Sequence, residues 1–144
     1  MSEALKLAAM IADADSIVAF TGAGISTECG VPDYRSPDSA WKRKFVMDDL
    51  YAGAQPGRGH AALARLVESG KMSHIITQNI DGLHQASGVP SERIIELHGN
   101  GTYAQCLDCG GRHELRDVRR VIAETSAAPE CACGGIVKLS LIHI

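Results

Sequence analysis

The sequence has no apolar run approaching the ~20 residues that a membrane-spanning helix needs, so no membrane partner is expected. Its start, Met1-Ser2-Glu3-Ala4-Leu5-Lys6, lacks the basic opening and long apolar stretch of a secretion signal. Charge of one sign is missing too: 14 Lys and Arg stand against 17 Asp and Glu, a net −3. That balance gives no general attraction to nucleic acid or to an anionic membrane. There is no internal repeat and no low-complexity tract. What is there is ordinary for a globular chain, with 45% hydrophobic and 22% charged residues among 144. A chain of this length buries roughly two-thirds of the surface it exposes when unfolded, enough for a real core. A soluble, cytoplasmic protein is expected.

Four of the five cysteines form two close pairs, Cys106-Leu-Asp-Cys109 and Cys131-Ala-Cys133. In a chain without a secretion signal, such spacing points to a metal site rather than to disulfides. Four thiolates suit zinc in a closed tetrahedral site, with no position open for chemistry. Cys29 is left over and reads as a small buried thiol.

Residues 3–14 are rich in helix formers, with Leu5, Ala8, Ala9 and Ala12 on one face to be buried and Ser2 as N-cap. Residues 16–20 form a short apolar run ending at Gly22, a strand expected to be buried on both faces. Residues 59–69 predict a helix with Leu63, Leu66 and Val67 inward and Gly70 as its stop. Strands follow at 74–77 and 93–97, with a short helix between them closed by Gly88. Strands alternating with helices imply parallel βαβ units, an α/β fold. From residue 102 to 138 the cysteine pairs bracket a charged helix in a segment too short to own a hydrophobic core.

Phe20-Thr21-Gly22-Ala23-Gly24-Ile25-Ser26 places two glycines where a strand meets a turn. Gly22 would allow the tight turn and Gly24 the approach of a diphosphate to backbone amides. The dinucleotide fingerprint wants a third glycine where Thr27 stands, so taken alone the pattern fits an ordinary glycine turn equally well. Three polar clusters join it: Asp33-Tyr34-Arg35, then Gln78-Asn79-Ile80-Asp81 after the second strand, then His98-Gly99 after the third. In open parallel sheets, ligands bind outside the carboxyl ends of the strands, where all of these fall.

In this order, and followed by the cysteine pairs, these segments resemble the sirtuins, the NAD-dependent protein-lysine deacylases. The resemblance runs from Ser16 through Lys138. It implies an incomplete Rossmann-like parallel sheet (residues 1–101) with an inserted small zinc-binding module (102–138). It further implies NAD as co-substrate, an acylated-lysine protein or peptide as substrate, and nicotinamide and O-acyl-ADP-ribose as products. The histidine matching His98 is the general base that deprotonates a ribose hydroxyl once the acyl oxygen has displaced nicotinamide. Gly22, Ala23, Gly24, Ile25, Ser26, Asp33, Tyr34, Arg35, Gln78, Asn79, Ile80 and Asp81 carry over as cofactor-binding positions. Asn79 and Asp81 also fit a plain Asx-type turn, and Tyr34 stands where many sirtuins have Phe. Cys106, Cys109, Cys131 and Cys133 carry over as the structural zinc ligands. The other histidines, at 60, 74, 84, 113 and 143, read as structural or surface, and Lys42-Arg43-Lys44 as a solvated patch.

The second half of a dinucleotide fold is not in the sequence: the sirtuin Phe-Gly-Glu/Gln and Gly-Thr-Ser motifs do not occur. Residues 139–144, Leu-Ser-Leu-Ile-His-Ile, match what a sequencing adapter encodes and are read as a non-native tail; a short apolar strand is the alternative. Two further functions compete with the deacylase. One is an inactive, zinc-stabilised sirtuin fragment with weak or no NAD binding. The other is a nucleic-acid-binding zinc ribbon, disfavoured because Tyr103 is the lone aromatic in the module. Acyl preference and oligomeric state are not legible.

Overall fold

The computed structural model describes residues 2–33, 51 and 53–141. They divide into two compact units: the chain up to Gln78 with Leu83–Leu97, and Asn79–Gly82 with the chain from His98 onward. Tyr34, Arg35 and the basic run at 42–44 lie outside the described residues.

The first unit holds α1 (Glu3–Asp13), β1 (Ile17–Thr21), α2 (Arg58–Glu68), β2 (Met72–Thr77), α3 (Leu83–Ala86) and β3 (Ile94–Glu96). Ser2 caps α1, its hydroxyl accepting from the Leu5 N–H at 3.4 Å. β1 pairs parallel with β2, and β2 parallel with β3, so that Phe20, Ile76 and Ile95 stand in one row. Parallel neighbours need a crossover connection, and the helices α2 and α3 lie in those connections. Leu63, Leu66 and Val67 pack on Met72, Ile75 and Val89 together with Ile17 and Ala19. The apolar stripe read from the sequence is thus the buried face of α2. Gly70 ends that helix at φ 75, a conformation open to glycine at little cost.

Two expectations change. β1 is not buried on both faces: Ile17 and Ala19 turn toward α2, while Val18 and Phe20 are 52% and 63% exposed. A strand covered by one layer alternates in burial, whatever the hydrophobicity of its outer residues. Helix α1 buries none of its residues, Leu5, Ala8, Ala9 and Ala12 included. Amphipathic spacing prepares a face, but burial also requires an element to pack on it, and no described residues of this unit do so.

In the second unit, β4 (Gly99–Cys106) lies between β5 (Arg112–Glu114) and β6 (Val137–Leu141), antiparallel to both. Helix α4 (Leu115–Thr125) follows β5 directly. The segment does own a small core, contrary to expectation: Ala104, Cys106, Val118 and Val137 are buried together, with Leu115 and Cys131 against them. Cys106, expected from the sequence to bind metal, is therefore also a core residue. β6 carries Leu139 opposite Ala104 and Leu141 opposite Gly99, so it takes in three of the six residues read as a tail. No helix among the described residues is long and apolar enough to cross a membrane.

Candidate functional site

β1 ends at Thr21, and the chain turns at Gly22 into two short 3-10 turns, Ala23–Ile25 and Thr27–Cys29. Gly30, at φ 82, closes the second. A Cβ on Gly22 would stand 3.9 Å from Gln78 Nε2, so the start of the glycine loop and Gln78 lie side by side. The Gln78 N–H donates to the Thr21 carbonyl at 3.0 Å, which ties the ends of β1 and β2.

The loop also leans on the start of α2. A Cβ on Gly59 would come within 2.9 Å of Ile25 Cγ1, so glycine is what lets the two segments approach. The Glu28 carboxylate accepts from the Gly59 N–H and meets the Arg58 guanidinium, each at 3.4 Å. The Gly59 amide, and then the Arg58 charge, hold the Glu28 carboxyl below its usual range. Because the folded pKa is lowered, the stabilisation is full above the unfolded carboxylate pKa of ~4.3 and is lost as pH falls through the lowered value. Glu28→Gln should therefore lower the melting temperature slightly at pH 7, with the difference from the parent chain closing as pH falls through the lowered value, as thermal melts across that range would show. The pair is exposed, so the effect is small.

In the second unit, Asn79–Gly82 is anchored by the residues that follow His98. The Gly101 N–H donates to the Ile80 carbonyl at 2.8 Å. Gly82, at φ 71, fits against Thr102, whose Cγ2 would lie 3.1 Å from a Cβ there. Asn100 is buried, and its Oδ1 accepts from the Thr102 N–H at 2.8 Å and from Thr102 Oγ1 at 2.6 Å. Asp81 is also buried, at 6% exposure. His98 is half-buried in the turn between β3 and β4, followed by Gly99 at φ 78. The structure thus brings Gly22–Ser26 together with Gln78 in one unit. In the other it ties Ile80 and Gly82 to β4, the strand that follows His98. Asp33 is half-buried in the first unit.

Sequence reasoning missed the contacts of four residues. Asn100 and Thr102 look like ordinary strand residues, and an Asn two positions before a Thr was the available sign of a local side-chain cap. Of the histidines read as structural or surface, His60 and His84 are structural, 0% and 1% exposed, and what the sequence did not show is that their ring centres lie 5.0 Å apart under the glycine loop.

The four paired cysteines converge, every sulfur within 4.8 Å of the others. Cys106 and Cys133 approach to 3.5 Å, Cys109 and Cys131 to 3.7 Å. A tetrahedron of sulfurs at the usual zinc–sulfur distance has edges of about 3.8 Å, so the donor set fits zinc. Two glycine turns shape the cradle: Gly110 (φ 72) after Cys109 and Gly134 (φ 88) after Cys133. The Gly111 N–H donates to Cys109 Sγ at 3.4 Å, the outer contact expected of a ligating thiolate. A Cβ on Gly135 would sit 2.6 Å from Cys106 Sγ, so glycine is required there. The Cys109 amide and its neighbours bring the Cys106 thiol down to about 7. At Cys133 the Gly135 amide acts to lower the thiol, but the Cys106, Cys109 and Cys131 thiols and burial outweigh it and push the group up to about 12. Four thiols this close cannot all ionise unless a cation balances them.

The Sir2 family model matches residues 38–143 of the chain. A relative named NAD-dependent protein deacetylase, from Rhodopseudomonas palustris, is 49% identical over 95% of this chain and 63% of its own length. NAD-dependent protein deacetylase 1 of Bradyrhizobium diazoefficiens is 48% identical over the same shares. Among solved structures, a Sir2 protein with p53 peptide and NAD+ superposes with a TM-score of 0.75 at 30% identity, covering 98% of this chain and 64% of that one. The chain spans just under two-thirds of the length of the relatives it matches. It is a member of the Sir2 family.

Proposed function

We propose that this chain acts as an NAD-dependent protein-lysine deacylase, transferring the acyl group of an acylated lysine in a protein or peptide to ADP-ribose. The observation that carries this reading is the position of the polar clusters at strand ends, with Gly22 beside Gln78 in one unit and Ile80 bonded to β4, the strand that follows His98, in the other. Gly22, Ala23, Gly24, Ile25 and Ser26 would receive the diphosphate of NAD on backbone amides. Asp33, Tyr34 and Arg35 would border the reacting ribose and the phosphates, and Gln78, Asn79, Ile80 and Asp81 the ribose and nicotinamide. Side-chain amides suit ribose hydroxyls because they both donate and accept. NAD supplies a ribose carbon with nicotinamide as leaving group, and His98 would take a proton from a ribose hydroxyl. Zinc, held by Cys106, Cys109, Cys131 and Cys133, would serve as scaffold. Thiols that must stay reduced to bind metal suit the cytoplasm.

The test supplies NAD and an acetyl-lysine peptide and follows both products. Nicotinamide and O-acetyl-ADP-ribose should appear in equal amounts, and only with the acetylated peptide. Nicotinamide release that ignores the peptide, or no release from zinc-loaded protein, overturns the reading.

A further inference from the structure

Beneath the glycine loop, the first unit buries five polar side chains, none more than 9% exposed: Thr21, Ser26, His60, Thr77 and His84. Burying that many polar groups is costly unless they are bonded to one another. The Thr21 hydroxyl donates to Thr77 Oγ1 at 2.9 Å, and His84 Nε2 lies 2.9 Å from the same Thr21 oxygen. Thr21 thus bridges Thr77 and His84, the direction of its bond to Nε2 being set by the tautomer of that ring. His60 Nδ1 accepts from the Gly57 N–H at 3.2 Å, which leaves Nε2 to donate toward Ser26 Oγ at 3.5 Å. The two rings meet with centres 5.0 Å apart.

Thr21 and Thr77 are the last residues of β1 and β2, so each stands immediately before a cofactor-binding position, Gly22 or Gln78. Ser26 is the hinge between the two 3-10 turns: its carbonyl accepts from the Cys29 and Val31 N–H groups at 3.0 and 3.3 Å. Helix α2 and helix α3 thus each send one histidine under the loop. We infer that His60 and His84 are positioning residues that hold the glycine loop and Gln78 in one arrangement, His60 through Ser26 and His84 through Thr21 and Thr77. The role rests on the proposed cofactor site. Nothing in it requires either histidine to touch a ligand.

Two conservative variants separate this role from a plain helix cap. In His60→Asn the amide oxygen reaches where Nδ1 stands, keeping the Gly57 bond and losing the Ser26 contact. In His60→Gln the amide nitrogen reaches where Nε2 stands, with the opposite result. Hydrogen exchange of the zinc-loaded 144-residue chain reads the loop through the amides of Ser26, Cys29, Gly30 and Val31, with Leu107 and Val137 as internal references. Exchange in the loop should quicken roughly tenfold in His60→Asn, the loss of about one hydrogen bond, and stay near the parent rate in His60→Gln. No change in either variant, equal loss in both, or rescue by Asn and not by Gln would overturn the inference. Should His60→Asn fail to fold, Thr21→Val removes a single hydroxyl and must quicken exchange at Gln78 and Ser26 for the inference to stand. Added NAD should slow loop exchange further in the parent chain. If it does not, the cofactor reading falls, while the role of the histidines is judged on the exchange rates alone.

Discussion

Stripping the metal with a strong chelator should unfold most of the second unit, and returning zinc should restore it. The expectation follows from how little else holds that unit together. Among the described residues its buried apolar side chains are Ala104, Cys106, Val118 and Val137, and one of these belongs to the cysteine cluster that fits zinc. Structural zinc contributes about 10–16 kcal/mol in small metal-folded modules, more than so few side chains can supply. The geometry is also self-opposing without the ion: the sulfur pairs at 3.5 and 3.7 Å place four ionisable thiols in mutual contact. Hydrogen exchange at Cys106, Leu107 and Val137, whose N–H groups bond to Gly111, Ile136 and Pro129, reports on the cradle directly. Protection there should vanish with chelator and in Cys109→Ser, while β2 in the first unit keeps its own. Unchanged protection at verified zero metal content would show that the small core suffices.

How much of this could be read from the sequence depended on the range of the interactions involved. The clustering of the four cysteines was legible because each pair lies within three residues, so spacing alone encodes the turn. The parallel pairing of the strands was legible because the apolar runs alternate with helical stripes, and Leu63, Leu66 and Val67 face inward as their spacing predicts. Burial was less so. The hydrophobicity of Val18 and Phe20 suggested a strand covered twice, yet coverage is a property of neighbouring elements and not of the strand. The histidine pair was illegible for the same reason. His60 and His84 come from different helices, and nothing near either one announces that the other will stack under the same loop. Asn100 shows the intermediate case, a short-range cap to Thr102 whose importance comes from the distant segment at Ile80 that it helps to seat.

Replacing His98 should separate the two stages of the proposed reaction. A general base that acts on a ribose hydroxyl after nicotinamide has left is not needed for nicotinamide to leave. His98→Ala should therefore lower the rate of O-acetyl-ADP-ribose formation by about 10²–10⁴-fold, the usual worth of a positioned base. Exchange of labelled nicotinamide into NAD should survive far better, since it reports the earlier stage. KM for the peptide should change little, because a group that works in the transition state contributes little to ground-state binding. The turn that bears His98 leads straight into β4, so metal content and exchange at Cys106 must be checked in the same sample. If those hold while product formation falls and exchange persists, His98 is the base. If product formation and exchange fall together with the fold intact, the residue acts before nicotinamide departs, and its role is to seat NAD. Equal rates in variant and parent would remove His98 from the reaction altogether and leave the buried Asp81 as the next carboxylate or imidazole to test.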